Sequence, residues 1–217
     1  MKLASLLNTT VNVMTLGVVT FLLVRPSGPV GAFLSRYRDE AAVRRLVRQH
    51  WQRLERIPSR LDGAGGNATL VEFSDFECPY CMRQHAVLRR ALATSRQLRI
   101  AFVHLPMPSH ASAEGAARAA ICAEQSGQFA ALTDRFFQST DWQRDTNWVA
   151  EAAAAGIDTV GFRGCLHSAR TTQRLDADRL LATQLGVNAT PTFVTAHGIF
   201  RGLHSDSLLT AMIIARR

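Results

Sequence analysis

Hydrophobic and polar positions divide the chain into three stretches. Residues 3–24 are mostly apolar, diluted by Asn8, Thr9, Thr10, Asn12 and Thr15. The run has about the twenty-residue length that spans a bilayer as a helix. Over residues 33–57, Leu34, Tyr37, Ala41, Leu46, Val47, Trp51 and Leu54 recur at helical spacing, and the other face holds Arg36, Arg38, Arg44, Arg45, Arg48, Arg53 and Arg56. That periodicity predicts an amphipathic helix. It ends at Pro58, and the glycine-rich residues 62–67 read as a flexible linker.

From Ala68 the pattern changes to an α/β alternation. Leu70, Val71 and Phe73 form a short β-rich run that stops at Ser74 and Asp75, and a helix follows to about Ala93. Residues 99–105 read as a second strand, ending at Pro106 and Pro108. Alanine-rich segments 113–126, 129–139, 147–155 and 160–167 read as short helices broken at Gly127, Asp141 and Gly156. A helix over 171–185 ends at Gly186, residues 192–195 and 199–201 form a hairpin, and residues 205–216 close as a helix. The expected organisation is a signal peptide or signal-anchor (1–32), an amphipathic helix and linker (33–67), and one catalytic domain (68–217) with a helical insertion at about 109–185.

Composition adds two constraints. With 217 residues, 47% of them hydrophobic, the chain can fill one ordinary core and still hold an extra segment. The net charge of +8 comes almost wholly from arginine, Lys2 being the one lysine among 25 basic residues. These arginines are spread along the chain without interleaved aromatics, which argues against a nucleic-acid tract and for a solvated surface biased toward anionic lipid. The helix over 33–57 could lie on headgroups, dock on the catalytic domain, pair with a second copy, or act as a spacer. Small residues Val30-Gly31-Ala32 offer a cleavage site after Arg25 and Pro26, so both an uncleaved anchor and a removed signal are open.

The candidate chemistry sits where the first strand meets its helix, in Cys78-Pro79-Tyr80-Cys81. The first helical turn has N–H groups without intrahelical partners and the positive end of the macrodipole, so a thiolate at Cys78 is favoured there. Its pKa should fall below the free value of about 8.5. Pro79 suits the first turn, where a missing N–H costs little. Cys81, one turn on and more sheltered, is placed to resolve a mixed disulfide, with Cys78 as nucleophile. Half a zinc site completed by His85 is the alternative reading, but no second Cys-X-X-Cys or histidine cluster completes it. Met82 stands where haem attachment needs histidine. No metal or other cofactor is therefore expected. Strand alternation puts Glu72 on the same face as Leu70, where burial should raise its pKa. Asp75 and Glu77 are expected to cap the helix and sit in solvent. His104 and His110 flank the start of the insertion, and either could tune the site or serve structure alone.

Residues 71–81 (Val-Glu-Phe-Ser-Asp-Phe-Glu-Cys-Pro-Tyr-Cys) resemble the active-site segment of the DsbA-like branch of the thioredoxin superfamily, and residues 186–194 (Gly-Val-Asn-Ala-Thr-Pro-Thr-Phe-Val) resemble its cis-proline segment. The likeness extends from about Ala68 to the C-terminus. It implies a thioredoxin fold interrupted by a helical domain. It also implies a protein thiol-disulfide oxidoreductase of the periplasm or another extracytoplasmic space, tethered by the N-terminal segment and working in the disulfide-forming direction. By the same resemblance Glu72 is the general acid/base for Cys81. Pro191 shapes a groove beside Cys78, Thr190 pairs with an extended substrate, and Pro79 and Tyr80 line that groove. The implied partners are proteins with free thiols or disulfides, and a quinone-linked membrane protein that reoxidises the site. Some relatives have a second disulfide in the helical region. Cys122 and Cys165 fit such a bridge in an even count of four cysteines, with two free thiols as the alternative. Disulfide isomerase or reductase activity of the same fold, and a chaperone-like binding module without catalysis, are the competing functions.

Overall fold

The computed structural model describes residues 15–16, 18, 20–22, 25, 28–61, 68–95 and 98–214. The apolar run at 3–24 lies mostly outside the described residues. No helix among the described residues is long and apolar enough to cross a membrane. The chain forms two compact units, Met1–Arg45 and Leu46–Arg217.

Helix α1 (Pro29–Glu55) begins in the first unit and ends in the second. Within the second unit its apolar positions Val47 and Leu54 are wholly buried. Arg53 donates to the Ala177 carbonyl at 2.8 Å and to Gln184 Oε1 at 3.2 Å. Of the roles open to this amphipathic segment, its last turns dock on the catalytic fold. The compact unit thus starts at Leu46, well before the boundary that the glycine tract suggested at Ala68. After α1 the chain lies along a strand edge: Phe102 N donates to the Ser59 carbonyl at 2.8 Å and Leu61 N to the Ile100 carbonyl at 3.1 Å. Residues 59–61 thus cover the edge of β2, with Ser59 and Leu61 buried, while the linker expected at 62–67 lies outside the described residues.

The sheet has the order β2-β1-β3-β4, formed by β1 (Ala68–Ser74), β2 (Leu98–His104), β3 (Thr192–Thr195) and β4 (Gly198–Arg201). β1 and β2 are parallel, joined by α2 (Pro79–Thr94), while β3 runs antiparallel to both β1 and β4. A parallel pair needs such a crossover. β1 is central, and residues 69–76 are buried without interruption. That explains why Leu70, Val71 and Phe73 put apolar side chains on both faces of the strand.

The insertion holds α3 (Ala113–Gln125), α4 (Phe129–Gln138), a 3₁₀ turn (Asp141–Gln143), α5 (Trp148–Ala154) and α6 (Phe162–Leu166). The long α7 (Ala169–Gln184) then returns the chain to the sheet and packs on β2. α3 buries a face of alanines, Ala116, Ala119, Ala120 and Ala123, which lets neighbouring helices approach closely. At Gly115 a Cβ would lie 2.5 Å from the Trp148 ring, so only glycine fits there. α8 (Asp206–Ile214) packs on α2 and β1.

Phe76 couples the insertion to the sheet. Its ring centroid lies 5.2 Å from Phe102 of β2, and 5.2 and 5.1 Å from Phe136 and Phe137 of α4. Offset and edge-on contacts of this kind add to the area term. Because Phe76 is two residues before Cys78, the aromatic cluster fixes the turn that presents the first cysteine.

Candidate active site

β1 delivers the chain to a tight turn, and α2 starts at once. Cys78 is the N-cap of α2 with extended backbone (φ −74°, ψ 120°), Pro79 occupies the first turn, and no side chain caps the helix. The open N–H groups of that turn are left to the cysteine sulfur. Cys78 is 5% exposed and Cys81 is fully buried, and both are free thiols.

The two thiols are driven in opposite directions. The Cys81 thiol, donating to Cys78, does most to lower the Cys78 pKa from 9.0 to about 5; burial opposes it, and the Thr190 side chain and the N–H groups of Cys81 and Tyr80 assist. Burial pushes Cys81 far above the ordinary thiol range, helped by the hydrogen bond to Cys78 and the charge of Glu72. One proton is therefore held by the pair on its inner sulfur, and the outer sulfur is anionic at neutral pH.

Across the turn, the Thr190–Pro191 peptide is cis. The Thr190 carbonyl accepts from Cys78 Sγ at 3.5 Å when that sulfur is protonated. The proline loop is held by Gly202 N donating to the Pro191 carbonyl at 2.9 Å and Thr192 Oγ1 donating to the Ala189 carbonyl at 2.7 Å. Gln84 of α2 binds both backbone groups of His204, accepting from its N–H at 2.7 Å and donating to its carbonyl at 3.1 Å. This pins the chain after β4 to the cysteine helix. Pro79 and Tyr80 face outward, Tyr80 being 52% exposed with the Arg83 guanidinium 4.7 Å over its ring.

Glu72 lies beneath, between Phe102 and Phe193 in the register of the central strand, with no exposed surface. Burial raises its pKa from 4.5 to about 8, partly offset by Ser74 and reinforced by the Cys78 charge. Neither Glu72 oxygen, nor Ser74 Oγ, has a hydrogen-bond partner of ordinary geometry among the described residues. Ser74 thus acts on the carboxyl through proximity rather than a well-formed bond. It also lowers the Cys81 pKa, against the larger effects. Ser74 was not singled out in the sequence, although its i+2 spacing from Glu72 puts it on the same strand face.

Two expectations for the neighbouring acids need correction. Asp75 is not a solvated cap: its side chain has no exposed surface and accepts from Glu77 N at 2.8 Å, Met107 N at 2.7 Å and His110 Nδ1 at 2.7 Å. Glu77 is half-buried and accepts from Ser112 N at 2.7 Å rather than capping α2. Burial works against a charge on His110, and the bond to Asp75, with the charges of Asp75, Glu77 and Cys78, overrides it and raises the His110 pKa. His104 stands elsewhere, buried in a polar group with Ser59, Glu124, Arg174 and Asp178, where burial and the Arg174 charge hold its pKa well below 6.5. His85, the possible third zinc ligand, pairs through Nε2 with Asp134 Oδ1 at 2.7 Å. Among the described residues no group of three or more His, Cys, Asp or Glu is arranged to hold a metal ion.

The other cysteines are joined. Cys122 of α3 and Cys165 of α6 form a disulfide with Cα atoms 5.8 Å apart and a sequence separation of 43. Thr171 Oγ1 lies 3.7 and 3.4 Å from the two sulfurs.

This geometry has known counterparts. The family profile described as Thioredoxin matches residues 65–215. In sequence the chain is 30% identical over 148 residues to Na(+)/H(+) antiporter NhaA 3 of Salinispora tropica, covering 68% of this chain and 23% of the antiporter. It is 34% identical over 153 residues to Na(+)/H(+) antiporter NhaA 1 of Mycolicibacterium gilvum, covering 68% and 25%. The chain spans about a quarter of the length of the curated relatives it matches. Among solved structures, a thioredoxin-like oxidoreductase from Silicibacter pomeroyi is similar at 27% identity and TM-score 0.64, over 69% of this chain and 86% of that one. A linker-deleted mutant of Proteus mirabilis ScsC superposes at TM-score 0.75 over 92% and 93% of the two chains with 18% identity. The thiol-disulfide exchange protein alpha-DsbA2 from Wolbachia pipientis superposes at 0.67 over 83% and 98% with 16% identity. With the Thioredoxin profile matching residues 65–215, the chain belongs to the thioredoxin family, and its fold is the one shared by the ScsC and alpha-DsbA2 structures.

Proposed function

We propose that the protein is a thiol-disulfide oxidoreductase that forms disulfides in protein substrates outside the cytoplasm, through the Cys78/Cys81 couple. The observation that carries this reading is the asymmetry of the pair, an acidic outer sulfur beside a buried basic one. In the oxidised enzyme a substrate thiolate attacks Cys78 Sγ, forming a substrate–Cys78 bond and expelling Cys81 as thiolate. Glu72, protonated at neutral pH, delivers its proton to Cys81 and recovers one later from solvent. A second substrate thiolate then attacks the substrate sulfur of the mixed disulfide, and Cys78 leaves as a stable thiolate. Two electrons pass from substrate to enzyme, and the substrate gains a disulfide.

A stable Cys78 thiolate favours the reduced enzyme, which makes the couple oxidising. Turnover then requires an electron acceptor, in this reading a quinone-linked membrane protein, with the N-terminal segment as tether. Thr190 offers its backbone to an extended substrate chain, and Pro191, Pro79 and Tyr80 shape the groove around Cys78. The Cys122–Cys165 bridge serves structure. The test is equilibration of the couple with glutathione, followed by oxidation of a reduced two-cysteine peptide. A potential near −120 mV supports the oxidase direction, and one near −270 mV, the thioredoxin end of the range, overturns it. Cys78→Ser abolishes turnover in this reading, and retained activity would identify a binding module instead.

A further inference from the structure

The helix N-terminus and Cys81 account for part of the Cys78 anion, and a separate loop reaches the turn that presents it. Residues 105–112, between β2 and α3, are stitched to the turn that ends in Cys78. Met107 N and His110 Nδ1 bind one oxygen of Asp75, and Ser112 N binds Glu77. The Asp75 carbonyl in turn accepts from Cys78 N at 3.2 Å. A carboxylate with no exposed surface and three donors holds an imidazolium well, since charge-assisted bonds are the strong ones. His110 is thereby carried from a distant part of the sequence to the turn that ends in Cys78, with its own side chain 26% exposed.

Resting on the oxidoreductase reading above, we propose that His110, positioned by Asp75, is the counter-ion of the Cys78 thiolate, so that its protonation rises and falls with the redox state of the dithiol. The charged groups that act on His110 are Asp75 and Glu77 from the turn and Cys78 at the head of α2. The two carboxylates are the same in both redox states. Only Cys78 changes, from an anion in the dithiol to an uncharged sulfur in the disulfide. Reduction therefore draws a fraction of a proton onto His110, and the imidazolium in return favours the thiolate. His110 moves no substrate proton in this scheme. It is a positioning residue acting through charge.

The test is an NMR titration of the His110 ring in the full chain, oxidised and reduced, which needs no variant. The expected result is a proton affinity several-fold higher in the reduced protein. In parallel, thiolate absorbance of reduced His110→Gln should show Cys78 binding its proton several-fold more tightly than in the parent. The equilibrium with glutathione should shift several-fold toward the oxidised enzyme. His110 titrating identically in both redox states, with Cys78 still acidic, overturns this inference and leaves the oxidoreductase reading standing. Cys78 behaving as an ordinary thiol in the parent overturns that reading itself.

Discussion

The chain holds two cysteine pairs, and comparing them shows how far environment decides what sulfur does. Cys78 and Cys81 lie three residues apart on the first turn of α2, beside a cis proline and above a buried carboxyl. Cys122 and Cys165 lie 43 residues apart on two helices of the insertion, joined and flanked by the Thr171 hydroxyl. The first pair constrains almost no chain, so its bond adds little to stability, and its two sulfurs are made unequal. The second closes a long loop and restricts the unfolded state. The difference lies in what surrounds the sulfurs: the first pair has a helix start, a cis proline loop and a buried carboxyl beside it, and the second has the neutral Thr171 hydroxyl and Gln125 amide.

Exchanging the roles would break the comparison. Cys78→Ser should abolish disulfide exchange, by about 10³-fold or more on the scale of removed nucleophiles. Cys81→Ser should leave Cys78 reactive and trap substrate as a mixed disulfide, which intact-mass analysis would show. The double change Cys122→Ala/Cys165→Ala should do the reverse. Denaturant unfolding should show a loss of about 4 kcal/mol for a loop of this length in the chain-entropy account, with Cys78 alkylation unchanged. Equal losses of exchange in both experiments would erase the distinction.

Glu72 sharpens it further. Its carboxyl is raised on folding from 4.5 to about 8, so the native state holds a proton that the unfolded state releases. Stability is therefore lost as pH rises from 4.5 to 8. Glu72→Gln removes that loss and should stabilise the reduced protein by about 3 kcal/mol at pH 7, with no gain at pH 4. The same variant should slow turnover by about 10²-fold, the lower end for a general acid. Stopped-flow kinetics and urea titrations across this pH range check both.

The smallest effect comes from His104. Its folded pKa lies well below 6.5, so the native state refuses a proton that the unfolded chain accepts. Stability is then lost as pH falls below 6.5, by about 1.4 kcal/mol per pH unit for one site. In the window from 4.5 to 6.5 this opposes the Glu72 trend, so the slope emerges most clearly in Glu72→Gln. His104→Gln in that background should flatten it, without changing Cys78 reactivity.

Much of this was legible in the chain. The strand ending at Ser74, the cysteines at the head of a helix, and Thr190-Pro191 before a short hairpin all announce themselves through local rules, because a strand, a helix start and a proline act within a few residues. Asp75 was misread because its partners, Met107 and His110, lie 32 and 35 residues away. A short acid beside a helix start looks like a cap until a distant loop claims one of its oxygens twice over. The stretch between Pro58 and the glycine-rich tract was given no element for a similar reason. Its order comes from pairing with Ile100 and Phe102, while the glycines that follow it dominate the local signal. Ser74 had a signal in its spacing, but a hydroxyl has no charge to draw attention to it.

The most direct measurement is alkylation of the reduced protein by iodoacetamide as a function of pH, read cysteine by cysteine by mass spectrometry. The account predicts that Cys78 takes the label with a midpoint near pH 5, while Cys81 stays unlabelled until the protein is unfolded. A Cys78 midpoint near 9, or equal labelling of Cys78 and Cys81 in the folded protein, would contradict it.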